Sequence, residues 1–190
     1  MSHKFYLESS FHSLLAQMDN DLATQTQAKG CPYCQGCLDV ANYPRSPFGL
    51  PASLRNYYAV RMSFCCRNCR KRTLPPSVRF FGRYWYVFVI HLLLNILQSG
   101  VTEKRLIELQ KQLGVQVSES TLKRWRRWWR GTFIDTTFWQ GKKGDLMPPP
   151  EPAAHYPGEL LARFQGELSD KFVHLLKFLS PLTGGILRAV

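Results

Sequence analysis

Six cysteines carry the most specific chemistry in this 190-residue sequence. Cys31-Pro-Tyr-Cys34 and Cys66-Arg-Asn-Cys69 are two C-x2-C units, the spacing that lets a pair of thiolates on one tight knuckle share a metal ion. Four thiolates match tetrahedral Zn2+, which accepts soft ligands and, with four of them, keeps no open position for catalysis. The ligand register is ambiguous, because Cys37 forms a further C-x2-C with Cys34 and Cys65 adjoins Cys66. Paired knuckles flanking two strands select Cys31, Cys34, Cys66 and Cys69. Ligand supply limits the chain to one ion, since no histidine lies between residues 31 and 69 to complete a second set. With no adjacent general base, the zinc is expected to stabilise a small fold that has too little core of its own.

The second chemistry is cationic. A net charge of +12 and a pI near 9.7 favour nucleic acid or an anionic membrane surface as partner. The densest source is Ser118 to Phe133. Stepping about 100° per residue along a helix places Thr121, Leu122, Trp125, Trp128 and Trp129 in one sector and Lys123, Arg124, Arg126, Arg127 and Arg130 in the other. One face suits a core and the other phosphates. Around the cysteines, ten cations between Ala28 and Arg83 face Asp39 alone. That exceeds what a doubly negative zinc tetrathiolate needs, so Arg67, Arg70, Lys71 and Arg72 are expected to form a second phosphate-binding surface.

The elements that must position these groups follow from periodicity and punctuation. Residues 1–27 contain a short helix, Glu8 to Met18, and a polar linker. Residues 28–82 form the zinc ribbon, with strands at Leu38–Tyr43 and Tyr57–Phe64 joined through a turn marked by Pro44, Pro47, Gly49 and Pro51. Residues 83–137 are helical. An apolar helix starts near Arg83 or Tyr84 and runs through Leu97, too short for the roughly 20 residues that span a bilayer. His91 within it reads as a core histidine. A helix from Glu103 to Leu113, a turn at Gly114–Val117 and the basic helix capped by Ser118 then follow in helix-turn-helix order. Residues 138–157 read as an extended Pro-rich linker, and 158–190 as two amphipathic helices, Gly158 to Gln165 and Glu167 to Leu179. Their apolar side docks either on the same chain or on a protein partner, a second copy included. The fold class is mainly α with a small β zinc ribbon, a helix-turn-helix core and C-terminal amphipathic helices. An N-terminus without a secretory pattern points to a cytoplasmic protein, nucleoid-associated if bacterial, and to metal rather than disulfides.

The two knuckles, the Thr73-Leu-Pro-Pro-Ser77 segment, the apolar helix, and Leu113-Gly-Val-Gln-Val-Ser118 leading into Thr121-Leu-Lys-Arg-Trp-Arg-Arg-Trp-Trp129 resemble the N-terminal DNA-binding part of zinc-ribbon insertion-sequence transposases and related small proteins. The resemblance spans Cys31 to Phe133 and implies a role with a mobile element. Such transposases add a catalytic domain with three separated carboxylates. Here Asp135, Asp145, Glu151, Glu159, Glu167 and Asp170 are scattered through a loop and short helices, and no phosphate loop or nucleophile motif accompanies them. The expectation is a non-enzymatic, zinc-stabilised protein that binds double-stranded DNA, as an accessory or targeting factor of a mobile element. A transcriptional regulator and a structural subunit that uses the ribbon and C-terminal helices for protein contacts are the alternatives, with RNA binding behind them.

Overall fold

The computed structural model describes residues 4–48, 50–81, 86–98, 103–115, 117–146 and 155–184, which fold mainly into helices around a small antiparallel ribbon. The first helix, α1, spans Ser9–Lys29 and is twice as long as its apolar pattern suggests. Phe11, Leu15, Asp19 and Ala23 recur every four residues and are all buried, so the inward stripe continues through the expected linker behind a carboxylate. Asp19 accepts hydrogen bonds from the Ser77 hydroxyl (2.6 Å), the Val78 amide (2.7 Å) and Arg79 Nε (2.8 Å). That pairing is what makes its burial tolerable.

The ribbon is built from shorter strands than its alternation implies. β1 (Leu38–Val40), β2 (Tyr43–Pro44), β3 (Val60–Arg61), β4 (Phe64–Cys66) and β5 (Arg72–Thr73) form a three-stranded sheet of order β1-β4-β5 and a separate β2-β3 pair. Leu38 faces Cys66 and Val40 faces Phe64 across the central pair. A 3-10 helix, Ala52–Tyr58, takes the place of the expected start of the second strand. Its Leu54 and Tyr58 are buried four residues apart, and Tyr58 donates its hydroxyl to His12 Nδ1 on α1 at 2.7 Å while His12 Nε2 donates to the Tyr6 carbonyl.

Tyr86 and Val87 are extended, bridging to Phe48 and Phe80, and α2 (Phe88–Gln98) begins only after them. The expected start near Arg83 or Tyr84 thus gives way to strand-like pairing, with the Phe88 amide donating to the Arg79 carbonyl; residues 82–85 lie outside the described residues. α3 (Glu103–Gln112) and α4 (Glu119–Arg130) follow. Residues 138–146, expected to open an extended linker, instead belong to α5 (Thr137–Lys142) and a 3-10 turn, because Phe138 and Trp139 are drawn into the core; the prolines at 148–150 and 152 lie outside the described residues. α6 (Gly158–Ala162) and α7 (Leu168–Leu179) bury Leu160, Leu161, Phe172, Leu175, Leu176 and Leu179. These side chains join one hydrophobic core that begins at Phe5 and includes α2 and α4. A smaller cluster of Ala23, Cys31, Leu38, Phe64 and Cys66 sits under the ribbon.

Candidate metal centre and basic helix

Two matching knuckles build the candidate metal centre. In the first, the Gln35 amide donates to the Cys31 carbonyl (2.8 Å) and the Cys31 amide to the Gly36 carbonyl (2.9 Å). In the second, the Arg70 amide donates to the Cys66 carbonyl and the Cys66 amide to the Lys71 carbonyl, both at 3.0 Å. Gln35 and Arg70, each four residues past the first cysteine of its knuckle, share a φ of 58°. The loops are thus the same turn used twice. They bring the sulfurs of Cys31, Cys34, Cys66 and Cys69 within 4.8 Å of one another, with Cys31 Sγ 3.6 Å from Cys69 Sγ and Cys34 Sγ 3.4 Å from Cys66 Sγ. A tetrahedron with metal–sulfur bonds of about 2.3 Å has edges near 3.8 Å, so the set fits one tetrahedral ion with small adjustments.

The protonation behaviour of two of these thiols fits the same conclusion. The Cys69 amide, 3.5 Å from Cys66 Sγ, helps lower the Cys66 pKa to about 6. At Cys69 the Lys71 amide pulls the other way, but burial and the neighbouring sulfurs of Cys34, Cys31 and Cys66 push the thiol up to about 12. One charge forms readily and the other resists, a resistance that a divalent cation would remove. Cys37 is exposed and Cys65 partly buried, both outside the cluster. Cys65 Sγ lies against the backbone carbonyls of Arg70 and Cys66, at 3.5 and 3.8 Å.

Arg67, Arg70, Lys71 and Arg72 of the ribbon are all exposed, and three of them have aromatic or acidic neighbours. Arg67 pairs with Asp39 at 2.8 Å, the Lys71 ammonium lies 4.5 Å from the Tyr33 ring centroid, and the Arg72 guanidinium lies 5.5 Å from that of Tyr43. Arg70 projects from the second knuckle turn. Arg61 and Arg79, counted in the same basic excess, are buried: Arg61 donates to the Pro75 carbonyl at 2.6 Å, and Arg79 binds Asp19 and the Tyr57 carbonyl. They serve the fold, a role the sequence pattern does not separate from the exposed set.

α4 presents the two faces its sequence implies. Leu122, Trp125 and Trp129 are buried and Trp128 half-buried, while Lys123, Arg124, Arg126, Arg127 and Arg130 are exposed. The Ser118 hydroxyl accepts from the Thr121 amide at 3.3 Å, and Glu119 pairs with Lys123 at 2.5 Å. Arg127 and Arg130 lie in the last turn, where the helix dipole favours cations. The preceding turn is closed by a Schellman arrangement: Gly114, at φ 65°, donates to the Lys111 carbonyl and Val115 to the Gln110 carbonyl. The Gln110 side chain then accepts from the Val117 amide at 2.7 Å, fixing the approach to α4.

His91 meets the buried face of α4. Trp129 Nε1 donates to His91 Nε2 at 3.1 Å, and the Trp125 ring centroid lies 4.5 Å from the imidazole. Burial pushes the His91 pKa down to about 3, so the ring is neutral and its Nε2 is an acceptor. A core histidine thereby adds a hydrogen bond to the apolar packing that keeps the tryptophan face inward.

No family model, curated protein or solved structure matches the chain. Among the described residues no helix is long and apolar enough to cross a membrane.

Proposed function

We propose that this chain is a zinc-stabilised protein that binds double-stranded DNA through the basic face of α4. The observation that carries the reading is the pairing of a tryptophan face locked to His91 with five exposed cations on the opposite side of the same helix. A predominantly cationic face, with Glu119 as its one acid, next to a closed helix-turn-helix turn suits phosphate tracking and entry into a major groove. Arg70, Lys71 and Arg72 of the ribbon would add backbone contacts. Zn2+ is the metal best matched to four thiolates at these separations, and its role is to hold the two knuckles together.

A place with a mobile element rests on the resemblance of Cys31 to Phe133 alone, and a transcriptional regulator would use the same contacts. The structural-subunit alternative loses its main support, since the apolar residues of α6 and α7 are taken up by the chain's own core. Titration of random duplex, single-stranded DNA and RNA across a salt series, on protein of measured zinc content, tests the reading. Duplex preference with a steep salt dependence is expected. Weak binding to all three would turn the basic faces into protein-contact surfaces.

A further inference from the structure

We propose that the groove between the ribbon's proline-rich loop and the helix-turn-helix turn binds an unpaired nucleotide, so that the protein favours duplex DNA carrying a short single-stranded extension over blunt duplex. The inference rests on the nucleic-acid reading above and adds a second site to it. The groove encloses about 900 Å³ and is lined by Arg45, Phe48, Arg55, Asn56, Tyr86 and Gly114, among others. That volume lies in the range of small-ligand sites and has room for a nucleotide.

Phe48 is 60% exposed, in contrast to the many aromatic rings this chain buries. It is nonetheless held in place: its backbone bridges to Tyr86, and the two ring centroids lie 6.3 Å apart with the planes tilted by 47°. Tyr86 in turn meets Trp125 of α4 edge to face at 5.2 Å. The platform is therefore fastened to the buried side of the basic helix.

Charge selects the occupant. None of the described residues lining the groove is acidic, and Arg45 and Arg55 supply two cations. Behind them the guanidinium groups of Arg45, Arg61 and Arg79 converge on the Phe80 ring, at 5.8, 5.7 and 5.3 Å. Of these, Arg79 is paired with a carboxylate, Asp19, and Arg61 is satisfied by a neutral carbonyl. Arg61 and Arg79 are buried behind the groove, and the cations that line it are the half-buried Arg45 and the exposed Arg55. An apolar peptide would cover Phe48 but bring no anion to this charge. Bases paired inside a duplex are stacked on both sides and do not offer their ring faces. An unpaired nucleotide supplies both a ring face for Phe48 and a phosphate for the arginines, and Asn56 offers an amide to the base edge.

The test uses the full chain loaded with zinc and two fluorescent DNAs, a blunt duplex and the same duplex with a three-nucleotide extension. The extension should tighten binding about tenfold or more, since stacking of a single base is worth roughly that. Phe48→Ala should abolish this gain and leave blunt-duplex affinity unchanged, with circular dichroism confirming an intact fold; Phe48→Tyr should keep it. Paired Arg126→Glu and Arg127→Glu substitutions should weaken both DNAs and preserve their ratio. Equal affinity of the unsubstituted protein for the two DNAs, or a gain that survives Phe48→Ala, would overturn the groove site while leaving the duplex reading standing. Binding to neither DNA would overturn both.

Discussion

Cys31, Cys34, Cys66 and Cys69 form one set that could hold a metal, and Cys37 and Cys65 lie outside it. Cys31→Ser or Cys69→Ser should release the metal and melt the ribbon, because metal binding of this kind contributes on the order of 10 kcal/mol to small tetrathiolate folds. Cys37→Ser and Cys65→Ser should retain stoichiometric metal and an unchanged melting curve. Metal content by mass spectrometry under native conditions distinguishes the two sets; metal loss from Cys37→Ser would show the ligand register to be wrong. His91 makes a different demand. Its folded-state pKa, near 3, lies below its ordinary value of 6.5, so the unfolded chain takes up the proton first. The neutral ring's contribution is complete above pH 6.5 and is lost as pH falls toward 3, at up to about 1.4 kcal/mol per pH unit. Urea unfolding between pH 7 and pH 5 should show this slope, and His91→Gln should flatten it relative to the unsubstituted protein at matched metal content. An identical slope in His91→Gln would remove the buried imidazole as its source.

Elements show which parts of the sequence speak for themselves. α4 was legible because its two faces are chemically opposite and its cap is a serine, so local pattern and tertiary role agree. The clustering of Cys31, Cys34, Cys66 and Cys69 was legible because two C-x2-C knuckles each turn a pair of thiols to the same side. The second half of α1 was not, since a buried Asp19 looks like a linker residue until Arg79 is beside it. Nor was the start of α2, where Tyr86 and Val87 belong to an apolar run yet pair as strand with Phe48 and Phe80. At the turn before α4 the geometry leads to a measurable expectation. Gly114 has open space around it but sits at φ 65°, so Gly114→Ala should cost about 1 kcal/mol through backbone conformation alone. Gln110→Ala should cost about 1–3 kcal/mol by stranding the Val117 amide. Chemical denaturation measures both, and a neutral Gln110→Ala would show that the turn does not depend on that side chain.

Across the whole molecule, Asp19 ties together segments far apart in sequence. Through Ser77, Val78 and Arg79 it joins α1 to the segment leaving the ribbon, while Thr183 accepts from the Ser77 amide at 2.7 Å and secures the end of the last helices to the same point. Asp19→Ala should destabilise the fold by about 3–5 kcal/mol, because it leaves the Arg79 guanidinium buried without its carboxylate. Thermal unfolding would report an effect well beyond the roughly 1 kcal/mol of a typical substitution, and a melt equal to that of the unsubstituted chain would mean this junction does not hold the segments together. The whole-molecule arrangement was the least legible level, since it rests on pairings between residues far apart in the chain, such as Asp19 with Arg79 and Ser77 with Thr183.

The measurement that tests the central claim most directly compares the salt dependence of duplex binding in the zinc-loaded chain and in the paired Arg126→Glu, Arg127→Glu variant. Log affinity should fall linearly with log salt concentration, and the variant should bind more weakly with a slope reduced by about two, one for each phosphate that no longer meets an arginine. A folded, zinc-loaded variant with unchanged affinity and unchanged slope would contradict the assignment of DNA binding to α4.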